Sequence, residues 1–287
     1  MPYEKLIIFD YSGTLSLGAV LFGRSDNIMR SLKECGLTDM GVSNSTVFWE
    51  EIVMPTWMKG STTAAGYKEV MKERILEITS GAISESRLTE SVSCFVDSYL
   101  DHSDIDKRWM GLLEKIQHHR EIVTVIATDH YAEATGSIIG HCDRLGIKAV
   151  PLKTIPSDAG ESLFVVANSA DIGCHKADIE FWETLRSELK PEKLSRLLII
   201  DDFGFNEQEG DDYGSFQKVK ARKSETIGNL QDVFSTVVDA VPFGFEEDKV
   251  DHRVEKGLKK KEAIFGDDVR YATKRIERFI RGGRAPC

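Results

Sequence analysis

The sequence predicts an α/β fold, a parallel sheet with helices on both faces, into which a separate helical domain is set. Three observations predict it. Short apolar runs recur at residues 4–10, 122–127, 147–150, 163–167 and 197–200. They lack the alternation of half-exposed strands, so both their faces are buried, as in parallel sheets covered by helices. Residues 24–119 carry helical spacing and no strand, while helical stretches at 131–145 and 177–189 separate later strands as crossover connections would.

Each element has its own signal. The first strand, Leu6-Ile7-Ile8-Phe9, stops at Asp10 and runs into a Ser12-Gly13-Thr14 turn. Helices are expected at 26–35, 44–54, 66–79, 84–101 and 104–119. Tyr67, Val70, Met71, Ile75 and Ile78 share one helical face; Leu88, Val92, Phe95, Val96 and Tyr99 share another. The strand of Ile122–Ala127 ends at Thr128, and that of Leu197–Ile200 ends at Asp201-Asp202. A further strand near 216–220 and a helix near 227–238 complete the core. Within residues 249–284, 12 Lys/Arg stand against 6 Asp/Glu, so the tail is basic. Val269, Ala272, Thr273, Ile276 and Ile280 line one face there and Asp267 stands as its cap, which predicts a helix docked on the domain with its basic face in water. Binding of that face to an acidic partner is the other reading. The expected division is a core of residues 1–20 and 119–245, a helical domain of 21–118, and a basic helical extension of 246–287.

Composition narrows the classes. Hydrophobic content of 41% with 29% charged residues fits a water-soluble globular chain. No apolar run approaches the roughly 18 residues of a membrane span, and MPYEKLIIFD lacks the basic start and long apolar stretch of a signal peptide. A net charge of −10 argues against nucleic acid as the main ligand. It leaves room for one small anion held by local lysines. Cys35, Cys94, Cys142, Cys174 and Cys287 are far apart, odd in number and without a C-x-x-C pair. They are expected to be unpaired core residues in a reducing, cytoplasmic compartment.

Ligands of open parallel sheets collect beyond the carboxyl ends of the strands. Asp10, Thr128 and Asp201-Asp202 stand there, and Lys176 follows the strand of 163–167 at the entrance to a helix. A lone aspartate after a strand is usually a turn residue; these groups in this order resemble the motifs of the haloacid dehalogenase-like hydrolase superfamily. Asp10-Tyr11-Ser12-Gly13-Thr14 is similar to its first motif, Thr128 in VIATD to the second, Lys176 in GCHKADIEFW to the third, and Asp201-Asp202 in LLIIDDFGFNE to the fourth, with Glu207 beyond. The resemblance covers residues 5–15 and 120–240. It implies a Rossmann-like core with an α-helical cap that closes over the site and selects substrate.

The resemblance also implies roles, which elementary chemistry makes intelligible. Asp10 would attack phosphorus and form an aspartyl-phosphate. Thr128 would donate to a phosphoryl oxygen, with Asp129 beside it, and Lys176 would keep Asp10 ionised. Asp10, Asp202 and either Asp201 or Glu207, with the backbone carbonyl of Ser12, would supply hard oxygen ligands for Mg²⁺. The expected substrate is a small phosphorylated or phosphonate compound, with no nucleic acid and no membrane involved. Ser12 departs from the pattern, since phosphatases of the superfamily carry an acid/base aspartate there. A serine hydroxyl is far too weak an acid to replace it. That leaves a phosphatase or phosphonatase-like hydrolase, or a catalytically weak protein that binds a phosphorylated ligand or partner. Phosphonoacetaldehyde hydrolases use a cap lysine to form a Schiff base, which makes Lys59, Lys68 and Lys72 candidates. A dehalogenase would not need the metal, and the Asp201-Asp202 pair argues against one. In VFWEEIVMPTWMKG, Trp57 and Lys59 are expected to meet substrate, with packing of Trp49 and Trp57 inside the cap as the alternative. His130 and His175 are candidate proton carriers.

Overall fold

Strand β1 (Lys5–Phe9) lies inside a six-stranded, wholly parallel sheet of order β3-β4-β2-β1-β5-β6. The structure, a computed structural model, describes residues 3–81, 83–156, 163–192, 194–206, 216–244 and 258–282. After β1 come helices α1 (Leu17–Phe22), α2 (Ser25–Glu34), α3 (Ser45–Val47), α4 (Met54–Ser61), α5 (Gly66–Ile78), α6 (Glu85–His102) and α7 (Met110–Gln117). Then follow β2 (Ile122–Thr128), α8 (Glu133–Arg144), β3 (Ala149–Pro151), β4 (Phe164–Asn168), α9 (Ser169–Ile172) and α10 (Ile179–Leu189). The chain continues with β5 (Arg196–Asp201), α11 (Phe216–Phe234), β6 (Val237–Pro242) and α12 (Leu258–Ile280).

Successive side chains of a strand point to opposite faces, and both faces here are apolar. Ile7, Phe9, Ile122, Ile126, Leu198 and Ile200 pack with residues of α7, α8 and α12. Leu6, Ile8, Val123, Val125, Leu197 and Ile199 pack with α10 and α11. This two-sided burial is why the strands read as continuous apolar runs. Of the helices between β1 and β2, α7 belongs to the sheet cluster, whereas Phe22 of α1 and residues of α2 to α6 form a cluster of their own, including Leu32, Phe48, Met71 and Phe95, which Tyr131 of the core joins. A π-helical turn, Phe48–Val53, links α3 to α4.

Three expectations are corrected. Residues 216–220 are helical, not a strand: Val219, Thr226, Leu230, Val233 and Phe234 are buried positions of α11 at helical spacing. The helix expected at 227–238 ends at Phe234, and Val237–Pro242 form β6, one of the two edge strands. Asp267 lies inside α12 rather than at its start and pairs with Arg270. The docked-helix expectation itself holds for the described part, because Phe265, Val269, Ala272, Ile276 and Phe279 are buried against the sheet. Lys5 Nζ donates to the carbonyl of Ile280 at 2.7 Å, a cation at a helix C-terminus.

The cysteines also differ from expectation. Cys35 after α2 and Cys94 on α6 are joined, with Cα atoms 5.7 Å apart, although 59 residues separate them. Neighbours on two packed helices leave no spacing signature, so the sequence could not reveal the pair. The expectation of a reducing compartment rested on unpaired cysteines and loses that support. Cys142 and Cys174 are free, and Cys287 lies outside the described residues. Among the described residues, no helix is long and apolar enough to cross a membrane.

Candidate active site

In register, Phe9 stands opposite Ile126 of β2 and Ile200 of β5. The next residues, Asp10, Thr128 and Asp201-Asp202, therefore emerge together at the carboxyl edge. Asp10, Thr128, Asp201 and Asp202 are all buried. Asp10, Asp201 and Asp202 each bring a carboxylate oxygen within 4.8 Å of the others. Lys176 crosses from the loop before α10, and its ammonium donates to Asp10 Oδ1 at 2.6 Å and to Asp201 Oδ2 at 3.1 Å. Burial alone would lower the Lys176 pKa, but Asp10, Asp201 and Asp129 together raise it well above the ordinary lysine value. The ammonium is therefore held cationic.

The loops are shaped by their own residues. Gly13 has φ +78°, and a Cβ there would stand 2.4 Å from Asp202 Oδ2, so this turn can lie against the acidic pair only with glycine. Asn206 Nδ2 donates to the Gly13 carbonyl at 2.9 Å, and the Asp202 N–H donates to Thr14 Oγ1 at 3.1 Å. Phe203 (φ +52°) and Gly204 (φ +80°) are both left-handed. They fold the chain back so that the Phe203 N–H donates to Asp201 Oδ1 at 2.6 Å. The N–H groups of Gly204 and Asn206 reach Asp202 Oδ1 and Oδ2 at 2.9 and 2.8 Å. The acidic pair thus organises its own turn. Ser12 is half-buried in the first turn and bridges Ser16. Asp129 is half-buried, and its Oδ1 accepts the Lys176 N–H at 2.8 Å. Burial raises the Asp129 pKa, an effect the Lys176 charge partly offsets.

Four carboxylates against one ammonium leave a local excess of negative charge. A set of three buried carboxylates with oxygen atoms this close suits a hard divalent cation such as Mg²⁺. Asp10, Asp201 and Asp202, with the Ser12 carbonyl, are the residues that would hold it. Glu207 lies outside the described residues.

The cap meets this edge through α4. Trp57 stacks on His175, the neighbour of Lys176, with centroids 5.9 Å apart and planes at 17°. It also presents its ring edge-on to Tyr131 at 5.3 Å. Ser61 Oγ donates to the Trp57 carbonyl at 2.6 Å and so accepts from His175 Nε2, 2.7 Å away. Ser169 Oγ donates to the Ser61 carbonyl at 2.6 Å. Gly60 permits the approach, since a Cβ there would stand 2.4 Å from the Tyr131 ring. Glu133 of α8 accepts the N–H groups of Tyr67 and Lys68 at 2.7 and 3.0 Å, capping the cap helix α5 from the core. Ser61, Tyr131, Glu133 and Asn206 had no motif to mark them; the small-residue pair Gly60-Ser61 was the available hint.

Two expectations fail here. Lys59 does not face the site: it pairs with Glu73 on the solvent side of the cap, because it lies across α4 from Trp57 and Ser61. Lys68 pairs with Asp97 at 2.6 Å and Lys72 with Glu85 at 3.5 Å, so the Schiff-base candidates are all engaged on the cap's own surface. His130 is not a poised proton carrier. Its Nδ1 accepts the Tyr131 N–H at 2.8 Å and its Nε2 meets Tyr99 Oη at 2.8 Å. Burial lowers its pKa from 6.5 to about 4. Between those values the unfolded chain binds a proton that the folded chain refuses, so stability falls as pH drops through this window. His130 should account for a loss of about 3 kcal/mol between pH 6.5 and 4. Urea titrations of His130→Gln are expected to show a correspondingly flatter acid limb than the parent.

The parallel sheet, the helical insertion after the first strand and the motif residues at the strand ends agree with the α/β core and helical cap that the sequence resemblance implied. No protein-family model and no curated protein matches the sequence. Some solved structures are similar in three dimensions. An L-2-haloacid dehalogenase from Xanthobacter autotrophicus with covalently bound chloropropionic acid is 11% identical, with TM-score 0.44 over 91% of this chain and 88% of that one. A 2-haloacid dehalogenase from Pseudomonas syringae is 14% identical, with TM-score 0.43 over 76% and 99%. A haloacid dehalogenase-like hydrolase from Xanthomonas campestris is 14% identical, with TM-score 0.42 over 96% and 94%.

Proposed function

We propose that the chain is a Mg²⁺-dependent hydrolase of small phosphorylated compounds, acting through phosphoryl transfer to Asp10. The observation that carries this reading is the convergence of Asp10, Asp201, Asp202 and the Lys176 ammonium in one buried cluster. A carboxylate nucleophile needs to be ionised, and the ammonium at 2.6 Å favours that form. The same ammonium offsets the charge of a phosphoryl group seated on Asp10. Thr128, at the end of β2, would donate to a phosphoryl oxygen, and Asp129 accepts the Lys176 N–H at 2.8 Å. The turn from Asp201 to Asn206 holds the acidic pair in place through three N–H groups. Bound Mg²⁺ would supply charge neutralisation at the phosphoryl oxygens. The cap meets the site edge through Trp57, stacked on His175, and Ser61, 2.7 Å from His175 Nε2. Ser12 favours a second reading, a binder of phosphorylated ligands without turnover, because it offers no acid or base.

Incubation with Mg²⁺ and p-nitrophenyl phosphate is expected to release p-nitrophenol. Asp10→Asn and chelation of the metal should each abolish the release. Release that persists in Asp10→Asn would remove Asp10 from the reaction. None from the unmodified chain, with phosphate still bound, would favour the binder.

A further inference from the structure

We infer that the substrates of this site are aryl phosphates: the phosphoryl group sits at Asp10 and an uncharged aromatic leaving group lies along the Trp57–His175 wall. The inference rests on the reading of Asp10 as phosphoryl acceptor. The first ground is the make-up of the seam beside Lys176. Trp57 stacks on His175 and abuts Tyr131, which in turn stacks on Tyr67 with centroids 4.0 Å apart. Trp57 is only half-buried, so part of its surface remains for a ligand. The lysines nearest to it in the cap, Lys59, Lys68 and Lys72, are turned outward onto cap carboxylates. This wall suits a flat apolar group better than a second anion.

The second ground is the proton inventory. An alkoxide, whose conjugate acid is about as weak as water, cannot leave readily unless protonated. Ser12 cannot protonate it. His130 is neutral, with both ring nitrogens engaged. His175 spends its Nε2 proton on Ser61, whose own proton is committed to the Trp57 carbonyl. A phenoxide, with a conjugate acid of pKa about 10, leaves without that help.

The steps balance as follows. A carboxylate oxygen of Asp10 bonds to phosphorus as the P–O(aryl) bond breaks, and the electron pair departs with the phenoxide, which solvent protonates. Water then attacks phosphorus, the P–O(Asp10) bond breaks, and the water protons pass to phosphate and solvent. Lacking a carboxylate base at Ser12, the second step is the slower one, and the phosphoryl-enzyme accumulates.

Rapid-quench kinetics with Mg²⁺, phenyl phosphates of graded phenol acidity and hexyl phosphate test this. The expected result is a burst of one phenol per site, faster for more acidic phenols and at least about 10²-fold faster than hexanol release. Phenylphosphonate should quench tryptophan fluorescence and bind about tenfold tighter than methylphosphonate, a difference retained in Trp57→Phe and lost in Trp57→Ala on calorimetry. Hexyl phosphate turning over through Asp10 as fast as the phenyl esters, or equal binding of the two phosphonates, would overturn the inference and leave the Asp10 reading intact. No phenol from any ester, in the parent and Asp10→Asn alike, would overturn both.

Discussion

Replacing Ser12 with aspartate is expected to raise hydrolysis of hexyl phosphate by about 10²–10⁴-fold, the usual worth of a positioned acid/base group. The position is half-buried two residues beyond Asp10, in a turn whose backbone is set by the Gly13–Ser16 and Ser16–Tyr11 hydrogen bonds at 3.0 and 2.8 Å. These are main-chain bonds, so the substitution leaves the turn in place. The new carboxylic acid would protonate the departing alkoxide, and as a carboxylate it would then draw a proton from water. Aryl phosphates should gain less in the first step, since phenoxide needs no proton, and their burst should disappear as the second step quickens. An unchanged alkyl rate in a folded Ser12→Asp chain would show that the other groups do not form a competent site.

Replacing Lys176 with methionine should have the largest effect on stability. Its side chain is 15% exposed and stands between Asp10 and Asp201, 8% and 5% exposed. Removing the cation leaves buried carboxylates uncompensated, which costs about 3–5 kcal/mol when one partner of a buried pair is deleted. The deficit should shrink as pH falls, because protonation of Asp129, whose pKa burial raises, removes part of the unbalanced charge. Added Mg²⁺ should restore part of the stability, since the three-carboxylate set remains. Urea midpoints at neutral and acidic pH, with and without Mg²⁺, measure all of this. Equal stability of variant and parent in metal-free buffer at pH 7 would mean that the ion pair contributes nothing.

The sheet and the cluster at its edge were legible in the sequence because their signals are local. Leu6–Phe9, Ile122–Ala127 and Leu197–Ile200 are apolar on both faces, and each ends on the polar residue it positions. The helices of the cap were legible from their period, as with Tyr67, Val70, Met71 and Ile75. Residues 216–220, Phe-Gln-Lys-Val-Lys, misled because five residues are too few to separate a strand from the first turn of a helix. What the sequence hid is mostly long-range. Cys35–Cys94, the Glu133 cap on α5 and the Ser61–His175 contact each join segments far apart in the chain. Lys59 looked like a substrate ligand because it is two residues from Trp57, yet two residues on a helix reach nearly opposite faces. The acidic pair was legible as a site, whereas its turn depends on left-handed Phe203, a conformation that no phenylalanine announces.

The most direct measurement is chemical trapping of the phosphoryl group. The chain would be mixed with Mg²⁺ and phenyl phosphate, quenched in acid during the burst, reduced with borohydride and mapped by peptide mass spectrometry. The predicted result is one modified residue, Asp10 converted to homoserine, absent when substrate is omitted. Stoichiometric phenol release with Asp10 unmodified, or phosphate found on Ser12 instead, would contradict the assignment of Asp10 as the nucleophile.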